Sequence, residues 1–328
     1  MRKVELMLAG AEPAQRIALT AFLPDPRAVS GCVVFASPGG GYGRGYYDMH
    51  FTGHDGYSQA EHHVARGHVV IAYDHLGVGD SSTEGLATMT IEDIAAANHA
   101  AVSECAARIR SGTLADGFPA IPRAACIGIG QSMGGGVSII MQARHASFDA
   151  IGVLGYSAIH TVLPQRTREE VERGMAIYDV GRDAAVATLS LERTSAQVVD
   201  FVYPFHWEDV PRDILDADMA GGYPIRHTAP AFGSLTIPNC VIAMMAPRYV
   251  EREAAAIDVP VFIGLGERDT SLDPCAEPGA YLAARDTSLF IVPRMAHMHN
   301  FASTRQLLWD RLSDWMLMIA RGGRTGKH

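Results

Sequence analysis

The stretch Gly130-Gln131-Ser132-Met133-Gly134 constrains this chain more than any other. It fits a G-x-S-x-G pattern, and its flanks are the ones that pattern needs. Ala125 to Ile129 is a short apolar run of strand character, and Gly135 to Phe148 carries Val137, Ile139, Ile140 and Met141 as a helix. A strand that enters a helix through so few residues forces the middle one into a strained backbone. Ser132 is then exposed at the top of a sheet, where its hydroxyl can attack. The glycines have a steric cause, since a side chain at either position collides with the neighbouring strand or helix. Alone, the pentapeptide marks a glycine-rich turn; the flanks turn it into a nucleophile-bearing one.

The 328 residues suffice for one large α/β domain with an insertion, or for two domains. A net charge of −9 and the lack of a basic stripe argue against a nucleic-acid partner. No apolar run is long enough to span a bilayer, and Glu5 interrupts the N-terminus where a secretory signal needs apolar residues. The five cysteines are scattered and free of Cys-x-x-Cys spacing, so reduced thiols in a cytoplasmic protein are expected, with no metal framework and no cofactor. A homo-oligomer is left open.

Taken in order, Val4 to Leu8 and Ile17 to Phe22 read as two antiparallel strands. Cys32 to Ala36 is a strand covered on both faces. It opens into Ser37-Pro38-Gly39-Gly40-Gly41-Tyr42-Gly43, whose bare backbone can turn N–H groups toward an anion. Tyr57 to Arg66 is a helix stopped by Gly67, and His68 to Tyr73 is the next buried strand. The loop Asp74 to Ser81 reads as scaffold, its short side chains capping nearby backbone. Ile91 to Ile109 is a helix, and Ala150 to Tyr156 a strand. This alternation implies a mostly parallel sheet with helices on both faces.

From Thr161 to Tyr249 the alternation stops. Helical stretches (Arg168 to Tyr178, Ala184 to Phe201), proline breaks at Pro204, Pro211, Pro224, Pro230 and Pro238, and many aromatics fill a segment too long for a structureless loop, which reads as an inserted, mainly helical lid. Residues 1–160 and 250–328 are then the core. Val259 to Leu265 and Ser288 to Val292 resume the strands. Ser303 or Thr304 can open a last helix with Leu308, Leu312, Trp315 and Ile319 on one stripe, ended by Gly322, with a frayed tail from Arg324.

These features together resemble the α/β-hydrolases. The glycine loop after the third strand, the elbow near the middle, and an acid and a histidine after the last two strands stand in that family's order, and the Asp74-x-x-Gly77-x-Gly79-x-Ser81 loop is similar to one in its lidded members. The resemblance implies Ser132 as nucleophile and, from Gly264-Leu265-Gly266-Glu267-Arg268-Asp269, Asp269 as the acid, with Glu267 and Asp273 as competitors. His297 is the base it implies, with His299 as the alternative; Ala296 stands where the family has glycine. It also implies an oxyanion hole of one N–H from Met133 and one from Gly40, or from Gly39 as second choice, because Pro38 has no N–H.

His-x-His without a third ligand at recognisable spacing makes a poor zinc site, and the His62-His63 pair reads as surface or capping. Within the insertion Tyr203, Phe205, Trp207, Met219, Tyr223, Phe232, Met244 and Met245 are numerous enough to line a hydrophobic pocket. The expected activity is a serine hydrolase acting on an ester or lactone of a bulky hydrophobic substrate. Size and layout also resemble lidded hydrolases that open the zearalenone-type macrolactone. Rival readings are a carbon–carbon bond hydrolase with the same triad, acyl transfer to an alcohol, and a non-catalytic binder of a hydrophobic ligand.

Overall fold

The computed structural model describes residues 1–195, 198 and 200–325. β1 (Arg2–Ala9) and β2 (Arg16–Leu23) pair antiparallel, from Arg2 opposite Leu23 to Ala9 opposite Arg16. β2 also runs antiparallel to β4 (Val69–Tyr73). Every later pairing is parallel: β4 with β3 (Cys32–Ser37), β3 with β5 (Ala125–Gln131), then β6 (Ala150–Leu154), β7 (Val261–Arg268) and β8 (Thr287–Ala296). The order across the sheet is β1-β2-β4-β3-β5-β6-β7-β8. Because β3 and β5 to β8 are parallel, their C-terminal ends share one edge. The glycine loop, the elbow, and the turns carrying Asp269 and His297 therefore converge there without any long-range design in the loops themselves.

Period-two alternation builds two cores from the same strands. Val33, Phe35, Val69 and Ile71 join one apolar cluster, while Cys32, Val34, Ala36, Val70 and Ala72 join the other. α1 (Gln59–Val64) and α10 (Arg305–Thr325) cover the second face. α2 (Ile91–Ser111) and α3 (Met133–His145) cover the first, α2 held at its start by a Thr90/Asp93 capping box and at its end by left-handed Gly112. α10 does not end at Gly322. That glycine lacks the positive φ of a helix cap, and the helix runs on to Thr325; residues 326–328 of the expected frayed tail lie outside the described residues. His63 is a further correction: it is a buried residue, bonded at 2.7 Å to Ser313 Oγ of α10.

Between β6 and β7 lie α4 (Arg168–Tyr178), α5 (Arg182–Thr188), α6 (Leu191–Ser195), α7 (Val202–Phe205), α8 (Arg212–Met219) and a 3-10 stretch Asn239–Met245; α9 (Glu251–Ala256) then leads back to the sheet. The single helix expected over Ala184 to Phe201 is broken. Leu189 adopts extended backbone, and Ser190 Oγ accepts the Arg193 N–H, a side-chain cap inside the run that starts a new helix.

Candidate active site

The elbow has the strain its sequence demands. Ser132 sits at φ 53°, ψ −117°, a region L-residues avoid, between the end of β5 and the first turn of α3. Surrounding contacts over-determine it: the Ser132 N–H donates to the Leu154 carbonyl at 2.7 Å. A Cβ on Gly130 would stand 2.1 Å from the Gly134 carbonyl oxygen, and one on Gly134 would stand 2.4 Å from that of Ser37. Both positions therefore require glycine for lack of space.

Ser132 Oγ is 2.9 Å from His297 Nε2, and His297 Nδ1 is 2.7 Å from Asp269 Oδ1. Asp269 is buried and accepts three further hydrogen bonds, from the N–H groups of Gly266 (2.9 Å) and Thr270 (2.8 Å) and from His299 Nε2 (2.6 Å). Burial pushes its carboxyl toward protonation, but the facing His299 and His297 and these bonds outweigh that and hold it well below the usual carboxylate range. The remaining candidates fall elsewhere. His299 lies on the other oxygen of Asp269 and is bonded there, with its Nδ1 buried and unpartnered, while His297 takes the place beside Ser132. Glu267 is still on β7, where it accepts the Arg294 N–H, and Asp273 opens the 3-10 turn at Pro274.

Two residues that hold His297 in place escaped the sequence reading. Gly155, at φ 59° after β6, leaves room for the imidazole: a Cβ there would be 3.1 Å from His297 Nδ1. Gln131, the residue before the nucleophile, donates from Nε2 to the His297 carbonyl at 2.9 Å, tying the histidine loop to the elbow. Its position inside the pentapeptide was a signal; Gly155, one glycine among 33, carried none.

Gly40 lines the same cavity as Ser132 and Met133. Gly39 instead packs beneath, where a Cβ would lie 2.3 Å from Gln131 Oε1 and 3.1 Å from Ser132 Cβ. The loop is a turn in which the Tyr42 N–H donates to the Gly39 carbonyl at 3.2 Å with Gly41 at φ 82°. His75 Nε2 donates to the Pro38 carbonyl at 3.1 Å, and burial drives this imidazole down to about 4, so it is neutral at pH 7. The Asp74 loop is scaffold: Asp74 accepts the N–H groups of Arg44 and Asp80, and Ser81 Oγ donates to the Asp74 carbonyl.

The cavity of about 110 Å³ above Ser132 is walled mainly by apolar side chains from the segment between β6 and β7. Of the residues expected there, Phe205, Tyr223, Met244 and Met245 line it. Tyr203, Trp207, Met219 and Phe232 do not. Tyr203 carries the guanidinium groups of Arg166 and Arg268 against its ring, Trp207 also faces Arg268, and Phe232 packs with Tyr42, Phe51 and Phe301. Met219 ends α8 outside the cavity. Aliphatic Leu163, Leu191 and Val241 take their share of the wall. Several hydroxyls nearby donate inward to backbone carbonyls: Tyr156 to Met244, Thr161 to Ser157, Thr194 to Ser190 and Thr270 to Gly155. Phe205 also lies against His297, ring centroids 5.3 Å apart. Among the described residues, Asp48, His50 and Glu61 form the one group with metal-ligand spacing; it lies near the surface, and Asp48 is engaged by Lys3 and Ser58.

No protein-family model matches the chain, and no curated protein matches it by sequence. Solved structures match it in shape. A thermophilic esterase from Thermogutta terrifontis superposes with a TM-score of 0.62 at 13% identity, over 97% of this chain and 99% of that one. A carboxyl esterase from Bacillus coagulans gives 0.61 at 15% identity over 98% and 99%. A haloalkane dehalogenase from Bradyrhizobium elkanii gives 0.62 at 12% identity over 99% and 100%. The chain has the α/β-hydrolase fold. Since esterases and a dehalogenase share that shape, the reaction has to be argued from the residues of the site.

Proposed function

We propose that this chain is a serine hydrolase that cleaves a carboxylic ester or lactone of a bulky, uncharged substrate through an acyl-enzyme. The observation that carries this reading is the hydrogen-bonded line Ser132–His297–Asp269 at 2.9 and 2.7 Å. His297 Nε2 takes the Ser132 proton as Oγ attacks the carbonyl carbon, and ionised Asp269 holds the imidazole in the required tautomer and stabilises the imidazolium. The N–H groups of Gly40 and Met133 receive the oxyanion. Collapse of the tetrahedral intermediate expels the alcohol, which takes its proton from His297, and water attacking by the same route releases the acid. The esterases among the fold neighbours are consistent with this reading.

In this reading residues 161–249 are the lid that selects the substrate. Among the described residues the cavity wall carries no Asp, Glu, Lys or Arg, and this favours an apolar acyl or alcohol moiety, a macrocyclic lactone included. Replacing Ser132 by Ala is expected to abolish labelling by an organophosphonate and to lower aryl-ester turnover by at least ~10³-fold. Mass spectrometry of the intact protein reads the label; retained turnover by the variant sinks the assignment.

A further inference from the structure

The glycine loop after β3 is held from two sides. From the core, His75 Nε2 donates to the Pro38 carbonyl and the Tyr42 N–H to the Gly39 carbonyl, at 3.1 and 3.2 Å. From the insertion, the Tyr223 hydroxyl donates to the Gly40 carbonyl at 3.4 Å and Arg226 Nε to the Gly41 carbonyl at 3.2 Å. A trans peptide sets its C=O and N–H in opposite directions. Arg226, together with the Ser234 N–H that donates to the same carbonyl at 3.0 Å, therefore fixes the peptide plane whose N–H belongs to Tyr42. That N–H fixes the Gly39 carbonyl, and the same peptide plane carries the Gly40 N–H.

Arg226 is itself locked. Its side chain is fully buried beside an equally buried Asp218, with Nη2 3.0 Å from Asp218 Oδ1 and Nη1 donating to the Asp218 and Ala220 carbonyls. The other Asp218 oxygen accepts from the Tyr42 hydroxyl and from His206 Nε2, each at 2.8 Å. His206 follows directly on two residues whose carbonyls hold the base loop: Pro204 accepts the His297 N–H at 3.1 Å and Phe205 the Met298 N–H at 2.9 Å. A buried ion pair carries a desolvation cost that an apolar pair avoids, and what it supplies in exchange is fixed geometry between the groups it bonds. Here the pair links the segment that grips the histidine to the loop bearing Gly40.

We propose that Arg226, locked by Asp218, is a positioning residue that aims the Gly40 N–H at the oxyanion. This rests on the reading of Gly40 as an oxyanion donor. The planar guanidinium reaches the Gly41 carbonyl and Asp218 at once, and a lysine, with a single nitrogen, keeps the charge but not both contacts.

The test is Arg226→Lys, assayed with an apolar aryl ester, a boronic acid that mimics the tetrahedral state at Ser132, and an ether analogue of the ester that has no carbonyl. The variant is expected to lose about 30-fold in kcat with KM within about two-fold, against the ~10²–10³ of losing a donor outright. The Ki of the boronic acid rises by the same factor and that of the ether does not move. Unchanged boronic acid affinity, or equal weakening of both inhibitors, overturns the proposal. Where Arg226→Lys yields no folded protein, Tyr42→Phe, which removes one bond to Asp218, carries the decision. It is expected to weaken the boronic acid about five-fold and leave the ether unchanged, and no change in either overturns the proposal. Wild-type protein that no organophosphonate labels instead overturns the serine-hydrolase reading, independently of Arg226.

Discussion

The floor and the roof of the cavity are built on different terms. The floor, made of Ser132, His297, Asp269 and Gly40, is held by backbone hydrogen bonds and by glycines at which a Cβ would stand only 2.1 to 3.1 Å from neighbouring atoms. The roof is apolar side chains on short helices and turns, joined to the floor through a few buried polar contacts such as Arg226 to Gly41. Apolar packing tolerates exchange at constant volume, whereas hydrogen-bonded geometry does not. Substitutions in the floor should therefore act on kcat for every substrate, and those in the roof on the choice of substrate.

The sharpest way to break this contrast is Asp269→Asn, which keeps the shape of the acid but withdraws its charge and permits the wrong imidazole tautomer. A kcat loss of ~10³–10⁴-fold on short and long esters alike is expected. A loss confined to long esters would show that Asp269 belongs functionally to the roof. Gly155→Ala comes next. The strained φ of 59° and the 3.1 Å approach to His297 should displace the ring and cost about 10²-fold in kcat, read by steady-state kinetics on an acetyl ester. Met245→Ala should lower kcat/KM about ten-fold for long-chain esters only, since a cavity-lining side chain contributes roughly one to two kcal/mol of apolar contact. An equal fall for the acetyl ester contradicts the division.

The smallest effect concerns the core beneath the floor. His63, His68 and His75 are buried, and burial lowers their imidazoles, His68 and His75 to about 4 from an ordinary 6.5 and His63 well below that ordinary value. Folded, they stay neutral; unfolded, they charge. Below pH 6.5 the unfolded chain thus binds more protons than the folded one, and stability falls continuously as pH drops toward 4. Tm is expected to decrease by several degrees between pH 7 and pH 5, while Asp269, whose folded value is depressed, remains ionised across that range and adds nothing to the slope. A Tm that is flat over this interval refutes the assignment of these imidazoles as buried and neutral.

Much of the floor was readable in the chain because each part follows a strand and carries a local steric or chemical signature. The elbow's glycines, the glycine loop and the turn holding Asp269 are all short-range patterns, and parallel strands bring their ends to one edge. The roof was readable only as an insertion. Tyr203, Trp207 and Met219 look like pocket residues by type, yet Arg268 from the end of β7 draws two of the three into cation–π contacts outside it. The break at Leu189 hung on one serine in a helical composition, and both histidines meet α10, His62 at Asp310 and buried His63 at Ser313, 250 residues away in sequence.

The sequence by itself determined the α/β architecture, the strained turn at Ser132 and the small set of acids and histidines that could lie near it, since strand alternation and turn sterics act over a few residues. Tertiary structure alone set His297 beside Ser132 and His299 on the far oxygen of Asp269, and put Gly40 on the cavity wall with Gly39 beneath it. Each pair lies within two positions in the chain, and only contacts with Ser132, Gln131 and Asp269, brought in from other strands, make their surroundings different.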